Sequence, residues 1–249
     1  MKRPILVICL VLLLTVEVLP RPQVIGDTSA DGSEFVFARL VYGSGMARFG
    51  RLRGGSWRTD WPKADKQFMF GIDRLSNVRI VLDKDVAVPI MDPSLFNYPF
   101  LYAVEVGHME LTPPEADRLR EYMMRGGFLV VDDFWGSYEW QSFSRQAKMI
   151  FPNREIEQLD MSHEIFHSFF DIQKILQVPN VNNGCGGYGT SEQDGYTPYA
   201  LAIFDDARRP MMVINYNTDL GDAWEWADQP CYPHEFSGGQ RQRIGVARA

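Results

Sequence analysis

The sequence predicts an α/β fold with an open, mostly parallel sheet and helices on both faces. The clearest evidence is the segment Thr112 to Asp133, where an amphipathic helix leads into the apolar run Phe128 to Val131. An uninterrupted apolar run of this length is typical of a parallel strand covered on both faces. A second apolar run, Phe100 to Val106, precedes the helix. The order strand, helix, strand therefore predicts one right-handed βαβ unit.

The ends of this central helix follow from its terminal residues. Thr112 and Glu115 have the spacing of a capping box, in which each side chain binds a backbone NH that the first turn leaves unpaired. Pro113 suits the first helical position because no hydrogen bond is lost there. Gly126 and Gly127 supply the left-handed conformation that commonly ends a helix. We therefore expect a helix that begins at Pro113 and ends before Gly126.

The remaining elements are predicted from apolar runs and their periodicity. The predicted strands are Phe35 to Tyr42, Arg79 to Leu82, an edge strand at Ile156 to Leu159, and a hairpin of Ala200 to Phe204 with Met211 to Tyr216. The predicted helices are Lys63 to Leu75 and a segment capped by Ser137, with Trp140, Phe143, Ala147 and Ile150 facing inward. Pro89 to Pro99 is predicted as a connection and Asn180 to Pro198 as a long surface loop.

Composition favours one globular domain. The chain has 249 residues, of which 45% are hydrophobic and 23% are charged, and this suits a single substantial core. The formal net charge is -7 and no block of Lys or Arg is present, so nucleic acid is excluded as an expected partner. Small molecules or other proteins of the cell envelope are the expected partners, and no cofactor is expected. We predict a domain at 34–233 and an atypical tail at 234–249.

The N-terminus has the layout of a secretory signal. Lys2 and Arg3 precede the apolar run Ile5 to Val16, which is short for a membrane span. We expect residues 1–30 to be a signal peptide, with a retained N-terminal membrane anchor as the alternative. The expected location is the periplasm or cell envelope.

Several stretches carry a family resemblance. In order, the chain contains FVFARLVYGSG, SWRTDWPKAD, LFNYPFLY, the run LRxYMxRGGFLVVDDFWGS, and NTDLGDAWEWAD. With these it resembles the bacterial family named domain of unknown function 4159, over roughly Glu34 to Pro233. The resemblance implies a flavodoxin-like or glutamine-amidotransferase-like fold and frequent export. That family has no established activity, so the resemblance supplies no catalytic residue.

The cysteines do not suggest amidotransferase catalysis. Amidotransferases of that fold use a cysteine on a strand-to-helix elbow, whereas the predicted strand ending at Val131 is followed by Asp-Asp-Phe-Trp. Cys185 follows a stretch with proline and asparagine where an elbow needs an apolar strand. Cys185 and Cys231 are an even pair that could form a disulfide in an oxidising compartment. The sequence therefore favours a protein that is not an enzyme.

The segment His163 to His167 matches the zinc motif HExxH. In that motif a helix places two imidazoles around the metal with the glutamate as base. The nearest downstream third ligand, Glu192, lies in the segment rich in glycine and asparagine. A metalloprotease is therefore disfavoured.

The tail Tyr232 to Ala249 looks like the signature segment of ABC-transporter ATPases, because it contains SGGQ. No GxxxxGK[ST] loop exists in the chain to hold nucleotide phosphates. An ABC-type ATPase component is therefore disfavoured as well.

The predicted site lies at the carboxyl edge of the sheet, where ligands bind in open parallel sheets. The residues expected there are Gly43 to Gly45, His108, Asp132, Asp133, Trp135, Asn217, Asp219 and Asp222. We expect Asp133 to face the crevice and Asp132 to end the strand. The alternative is that these aspartates only cap turns and brace loops.

Two functions remain open from the sequence. The favoured one is an exported binding or assembly domain with a degenerate amidotransferase-like fold. The alternative is a hydrolase in which His108 acts with Asp132 or Asp133 as acid and base, with or without a divalent metal on oxygen ligands.

Overall fold

The computed structural model describes residues 34–43, 56–82, 84–168 and 170–233. Its seven strands are β1 (Ala38–Val41), β2 (Val86–Pro89), β3 (Phe100–Val104), β4 (Phe128–Asp132), β5 (Glu157–Gln158), β6 (Tyr199–Phe204) and β7 (Pro210–Tyr216). Its α-helices are α1 (Lys63–Leu75), α2 (Pro113–Met124), α3 (Gly136–Ile150), α4 (Val181–Gly186) and α5 (Leu220–Glu225). Short 3-10 helices occupy Ser56–Arg58, Pro93–Asn97, Val106–His108 and Glu164–Phe166. The predicted signal segment, Ser44, Gly45 and the SGGQ tail lie outside the described residues.

The strands form one sheet in the order β2-β1-β3-β4-β7-β6-β5. Strands β2, β1, β3, β4 and β7 are parallel, whereas β6 and β5 are antiparallel additions at one edge. The five parallel strands have the 2-1-3-4-5 order of doubly wound, flavodoxin-like sheets. This confirms the predicted mostly parallel α/β sheet. Because β2 and β3 lie on opposite sides of β1, the sheet has its switch point between β1 and β3.

The predicted βαβ unit is confirmed. β3 and β4 pair in parallel from Phe100 opposite Phe128 to Val104 opposite Asp132, and α2 connects them. The carboxylate of Glu115 accepts hydrogen bonds from the Thr112 backbone nitrogen at 2.8 Å and from its hydroxyl at 2.7 Å.

The two faces of the sheet are covered differently. On one face, α2 and α3 bury long apolar side chains, including Leu119 and Phe143. On the other face lie α1, the short helix α5, and the irregular segments 159–168 and 170–180, and these contribute Phe68, Trp224 and Phe166. Among the described residues, no helix combines the length and apolar character that a bilayer crossing requires.

Three predictions of secondary structure were wrong. Ser137 does not cap α3, which begins at Gly136 with Trp135 as its N-cap residue. The strand beside β1 is Val86–Pro89, not Arg79 to Leu82, which contributes only a bridge between Ile80 and Phe35. All four residues of β2 are buried, but a run this short beside a proline resembles a connection. The predicted loop from Asn180 contains α4, whose first turn is capped by the Asn180 side chain. Six residues are too few to show helical periodicity.

Candidate functional site

Three neighbouring strands end in the same unusual way at the carboxyl edge of the sheet. Glu105 follows β3 with φ 57°, Asp133 follows β4 with φ 52°, and Asn217 follows β7 with φ 59°. The left-handed conformation is unfavourable for glutamate, by about 1 kcal/mol, and less so for aspartate and asparagine, and such backbone strain is concentrated at functional sites. Here the turn after β4 is held by a hydrogen bond from the Asp133 nitrogen to the Thr218 carbonyl at 3.2 Å. The edge is therefore the candidate site.

The Asp132 side chain connects the end of β4 to β3 and α5 through hydrogen bonds. It is fully buried, and its Oδ2 accepts hydrogen bonds from the Tyr102 hydroxyl at 2.6 Å, the Leu220 nitrogen at 2.9 Å and the Gly221 nitrogen at 3.1 Å. These bonds join β4 to β3 and to the first turn of α5. Asp132 Oδ1 accepts no hydrogen bond of regular geometry from any described residue. Asp132 is thus a brace that also leaves one buried oxygen unsatisfied.

Several carboxylates converge beside Asp132. Two groups of three each contain Asp60, and in each group one oxygen per residue lies within 4.8 Å of the others. The first group adds Asp222 and Glu225, and the second adds Asp133 and Asp219. We use the name acidic cluster for Asp60, Asp132, Asp133, Asp219, Asp222 and Glu225. Four of the six are the aspartates that the sequence predicted.

Hydrogen-bond donors outside the acidic cluster orient its carboxylates. The indole nitrogen of Trp135 donates to Asp133 Oδ1 at 2.8 Å, and the indole nitrogen of Trp226 donates to Asp222 Oδ1 at 3.0 Å. Within the acidic cluster, Asp219 Oδ1 accepts from the Asp222 backbone nitrogen at 2.8 Å and caps α5. Carboxylate oxygens have further lone pairs, so these bonds leave them able to bind a cation. Trp135 therefore orients Asp133 rather than lining the crevice by itself.

The positive charges near the acidic cluster are already engaged. Arg39 is fully buried and forms an ion pair with Asp65, while its guanidinium also donates to the Thr59 carbonyl at 2.8 Å. The charge of Lys63 lowers the pKa of Glu225, but Lys63 itself forms an ion pair with Asp228 at 3.0 Å. The acidic cluster is therefore poorly compensated by the described residues.

Burial and mutual repulsion raise the pKa values in the acidic cluster. Burial raises the pKa of Asp132 to about 7 and that of Asp222 to about 6. It also raises the pKa of Asp60, Asp133 and Asp219 well above the ordinary aspartate value, and the neighbouring carboxylates add to each shift. Without a bound cation, burial and repulsion therefore favour the protonated form of these carboxyls.

His108 belongs to a second acidic group on the same rim. Its Nε2 lies 3.5 Å from Glu105 Oε2 and 3.7 Å from Glu139 Oε1. Burial, followed by the charges of Glu139 and Glu192, raises the pKa of Glu105 to about 7. The hydrolase alternative expected His108 to lie beside Asp132 or Asp133. The structure instead pairs His108 with Glu105 and Glu139.

Asn217 and Gly43 have local structural roles. Asn217 Oδ1 accepts from the Gly136 nitrogen at 2.9 Å, and Nδ2 donates to the Thr197 carbonyl at 2.7 Å. Both ends of the amide are thus used to brace the start of α3 and the following loop. The Gly43 carbonyl accepts from the Glu110 nitrogen at 2.9 Å.

The HExxH match is not a zinc site in the structure. His163 caps a single 3-10 turn, and its Nδ1 accepts from the Ile165 nitrogen at 3.2 Å. His167 contacts Asp171 and the Met161 carbonyl instead. The two imidazoles do not share a face of an α-helix, so the HExxH spacing does not bring them together around a zinc ion.

The sequence did not predict three members of the site. Glu105 was placed inside a strand extending to Val106, whereas β3 ends at Val104. A lone glutamate in an apolar run was a signal that the strand ended early. Asp60 and Glu225 had no local signal, because only the packing of α1 against α5 brings them to the crevice.

The fold and the site together define a doubly wound α/β protein with a carboxylate-rich crevice at the carboxyl edge of its parallel strands. The chain belongs to the family described as domain of unknown function (DUF4159), whose model matches residues 36–247. This match covers most of the chain and includes the whole sheet. A comparison with curated proteins found no match.

Glu105→Gln is expected to raise the free energy of unfolding by on the order of 1–2 kcal/mol at about pH 8 and to leave it unchanged near pH 4. The folded-state pKa of Glu105, about 7, lies above its ordinary value of 4.5. The folded protein therefore binds the extra proton, and wild-type stability falls as the pH rises between these values. Because Gln cannot ionise, the variant does not lose stability as the pH rises. Urea unfolding of both proteins across this pH range measures the difference in the free energy of unfolding.

The exposed Glu110→Gln is the matched control for Glu105→Gln. It should change stability little at any pH. An effect of Glu105→Gln that is the same at both ends of the pH range would contradict the expected titration.

Proposed function

We propose that the protein is a binding domain whose carboxyl-edge crevice takes a divalent cation on the acidic cluster. The observation that carries this proposal is the position of Asp60, whose carboxyl lies within hydrogen-bonding reach of Asp222 and Glu225. Ionised carboxylates are acceptors only, so a proton or a cation must lie between them. Buried acceptors without a donor cost about 1–3 kcal/mol each, and a cation removes this cost.

The chemistry of the ligands favours a hard cation. The two carboxylate groups contain oxygen ligands alone, which suit calcium, magnesium or manganese better than zinc. A calcium ion at about 2.3–2.6 Å from each ligand keeps its oxygens within roughly 5 Å of one another. The separations in both groups, up to 4.8 Å, satisfy this limit.

Titration calorimetry with calcium, magnesium and manganese tests the proposal. We expect at least one of these ions to bind and to raise the melting temperature. Binding should also release protons, because the carboxyls hold protons in the absence of the ion. The measured heat should therefore depend on the ionisation enthalpy of the buffer. If none of the ions at millimolar concentration produces a binding heat or a shift in melting temperature, cation binding is refuted.

A cation-dependent hydrolase is the second candidate function. It is favoured by His108 beside Glu105 on the rim that also carries the acidic cluster, since such a pair can transfer protons. Incubation with ester and phosphoester substrates, with and without the bound ion, tests this candidate. The hydrolase candidate is supported if His108→Gln abolishes the activity and leaves the affinity for the ion unchanged. Activity unaffected by this substitution would exclude His108 as its acid or base.

The proposed fold relationship is a degenerate amidotransferase-like domain. It is supported by the sharp turn between β4 and α3, where Asp133 has a positive φ. Amidotransferases of the resembled fold carry their cysteine on a strand-to-helix elbow of this kind. An aspartate at this position suits binding a cation better than nucleophilic attack on a glutamine amide.

We also propose export to the periplasm or cell envelope, where the partners are small molecules or envelope proteins. The support is the charged and apolar layout of residues 1–30. N-terminal sequencing of the protein from a periplasmic fraction should find a start after Val16. An intact Met1 on protein recovered from the cytoplasm would contradict cleavage and export.

A further inference from the structure

A cavity lies on the sheet face that α1 and α5 cover. Its volume is about 120 Å³, and one side is open to solvent. Much of its wall is aromatic, with Phe68, Phe100, Tyr102, Phe128 and Trp224 among the lining residues. An apolar, aromatic wall of this kind is typical of a small-molecule site.

The cavity has a structural cause. The opposite face of the sheet is covered by the long helices α2 and α3, whereas this face is covered beside β6 and β7 by the irregular segments 159–168 and 170–180. Those segments contribute Ile165, Phe166, Ile172 and Ile175 to the lining. Protein interiors are normally close-packed, so a wide apolar space between a sheet and its covering segment favours an apolar ligand.

Two nitrogen donors interrupt the apolar wall. Lys174 is the one charged residue among the described lining residues, and it forms no ion pair within the described part of the chain. Asn215 is half-buried, and its side-chain amide makes no hydrogen bond to a described residue. Two other polar groups of the wall are engaged within the protein: the Tyr102 hydroxyl donates to Asp132, and the Thr218 hydroxyl accepts from the Val178 nitrogen. The lysine ammonium and the asparagine amide thus remain available.

We propose that this cavity binds an amphiphile that consists of an unbranched acyl chain with a terminal carboxylate. The chain would lie among the aromatic side chains, where every buried methylene adds to affinity. The carboxylate would accept hydrogen bonds from Lys174 and Asn215, since a bond between ionised partners is stronger than one between neutral groups. The charge of Lys174 selects an anionic head group over a cationic one.

This ligand is opposite in charge to the cation proposed for the crevice, and the two sites would hold their ligands with different chemical groups. The cavity offers aromatic faces and nitrogen donors, whereas the acidic cluster offers carboxylate oxygens. The inference therefore stands whether or not the acidic cluster binds a cation.

Calorimetric titration of the full chain with dodecanoate below its micellar concentration tests the proposal. We expect saturable binding of one molecule per chain. Affinity should fall at least tenfold for octanoate, which buries fewer methylenes, and at least tenfold for dodecanol, which lacks the charge. No saturable binding of dodecanoate would overturn the proposal, and so would equal affinity for dodecanoate and dodecanol.

Lys174→Met is the decisive variant. Lys174 is exposed, so its replacement should not disturb folding, and methionine keeps an apolar side chain at the mouth of the cavity. The variant should lose at least tenfold in affinity for dodecanoate and retain the wild-type affinity for dodecanol. Lys148→Met, on the outer side of α3 and paired with Glu155, is the matched control and should bind dodecanoate as the wild type does. Unchanged binding of dodecanoate by Lys174→Met would refute the assigned head-group contact.

Discussion

Asp133→Asn is expected to weaken cation binding by about 100-fold or more and to leave the fold as stable as the wild type or slightly more so. Asparagine keeps an oxygen that can accept from the Trp135 indole, as Asp133 does at 2.8 Å. It also tolerates the positive φ of this position better than most residues. The substitution removes a buried carboxyl whose pKa is raised by burial and by Glu105 and Asp60, so no stabilising charge is lost from the ion-free protein.

The test combines calorimetry with the cation and thermal unfolding in its absence. Asp73→Asn is the matched control, because Asp73 is exposed on α1 and should affect neither measurement. If Asp133 only ends the strand, both variants will bind the ion as the wild type does, and the proposed site is then wrong. A large loss of stability in the ion-free variant would show instead that Asp133 braces the turn.

Removal of the Cys185–Cys231 disulfide is expected to lower the free energy of unfolding by about 4 kcal/mol. The two cysteines are 46 residues apart, and in the chain-entropy account a cross-link of this span restricts the unfolded chain by about that amount. The disulfide also holds α4, whose first nitrogen, from Val181, donates to Asp222 in the acidic cluster. We therefore expect cation affinity to fall along with stability.

The double variant Cys185→Ser, Cys231→Ser gives the cleanest measurement, since neither partner of the disulfide is left as a free thiol. Its melting temperature should be lower by roughly 10 °C, given about 2–4 °C per kcal/mol for a domain of this size. A reducing agent should lower the stability of the wild type and have no effect on the variant. A loss below about 1 kcal/mol would indicate that the unfolded chain is already compact.

The elements that were predicted correctly carry their signals within a few residues. The capping box of Thr112 and Glu115 and the glycines at the end of α2 fix that helix locally, and the apolar runs on either side fix β3 and β4. β2 was missed for the opposite reason. Its identity depends on pairing with β1 along Val86–Pro89, and this tertiary contact leaves no periodic pattern in four residues.

The site was predictable where topology alone decides position. Asp132 and Asp133 follow a recognisable parallel strand, so their place at the carboxyl edge needs no knowledge of packing. Asp60 and Glu225 reach the crevice only because α1 and α5 pack against each other. The left-handed conformation of Glu105 likewise has no sequence signal, because glutamate rarely adopts it.

Tyr102 and Leu220 belong to both sites at once. Their side chains line the apolar cavity, while the Tyr102 hydroxyl and the Leu220 nitrogen hold Asp132 Oδ2. A ligand that displaces either residue from within the cavity would disturb a hydrogen bond to Asp132, and a shift of Asp132 would change the affinity of the crevice for a cation. Thermodynamic reciprocity then requires the cation to alter the affinity for the amphiphile by the same factor. A shared wall of this kind would make the domain a coincidence sensor, in which each ligand reports on the concentration of the other.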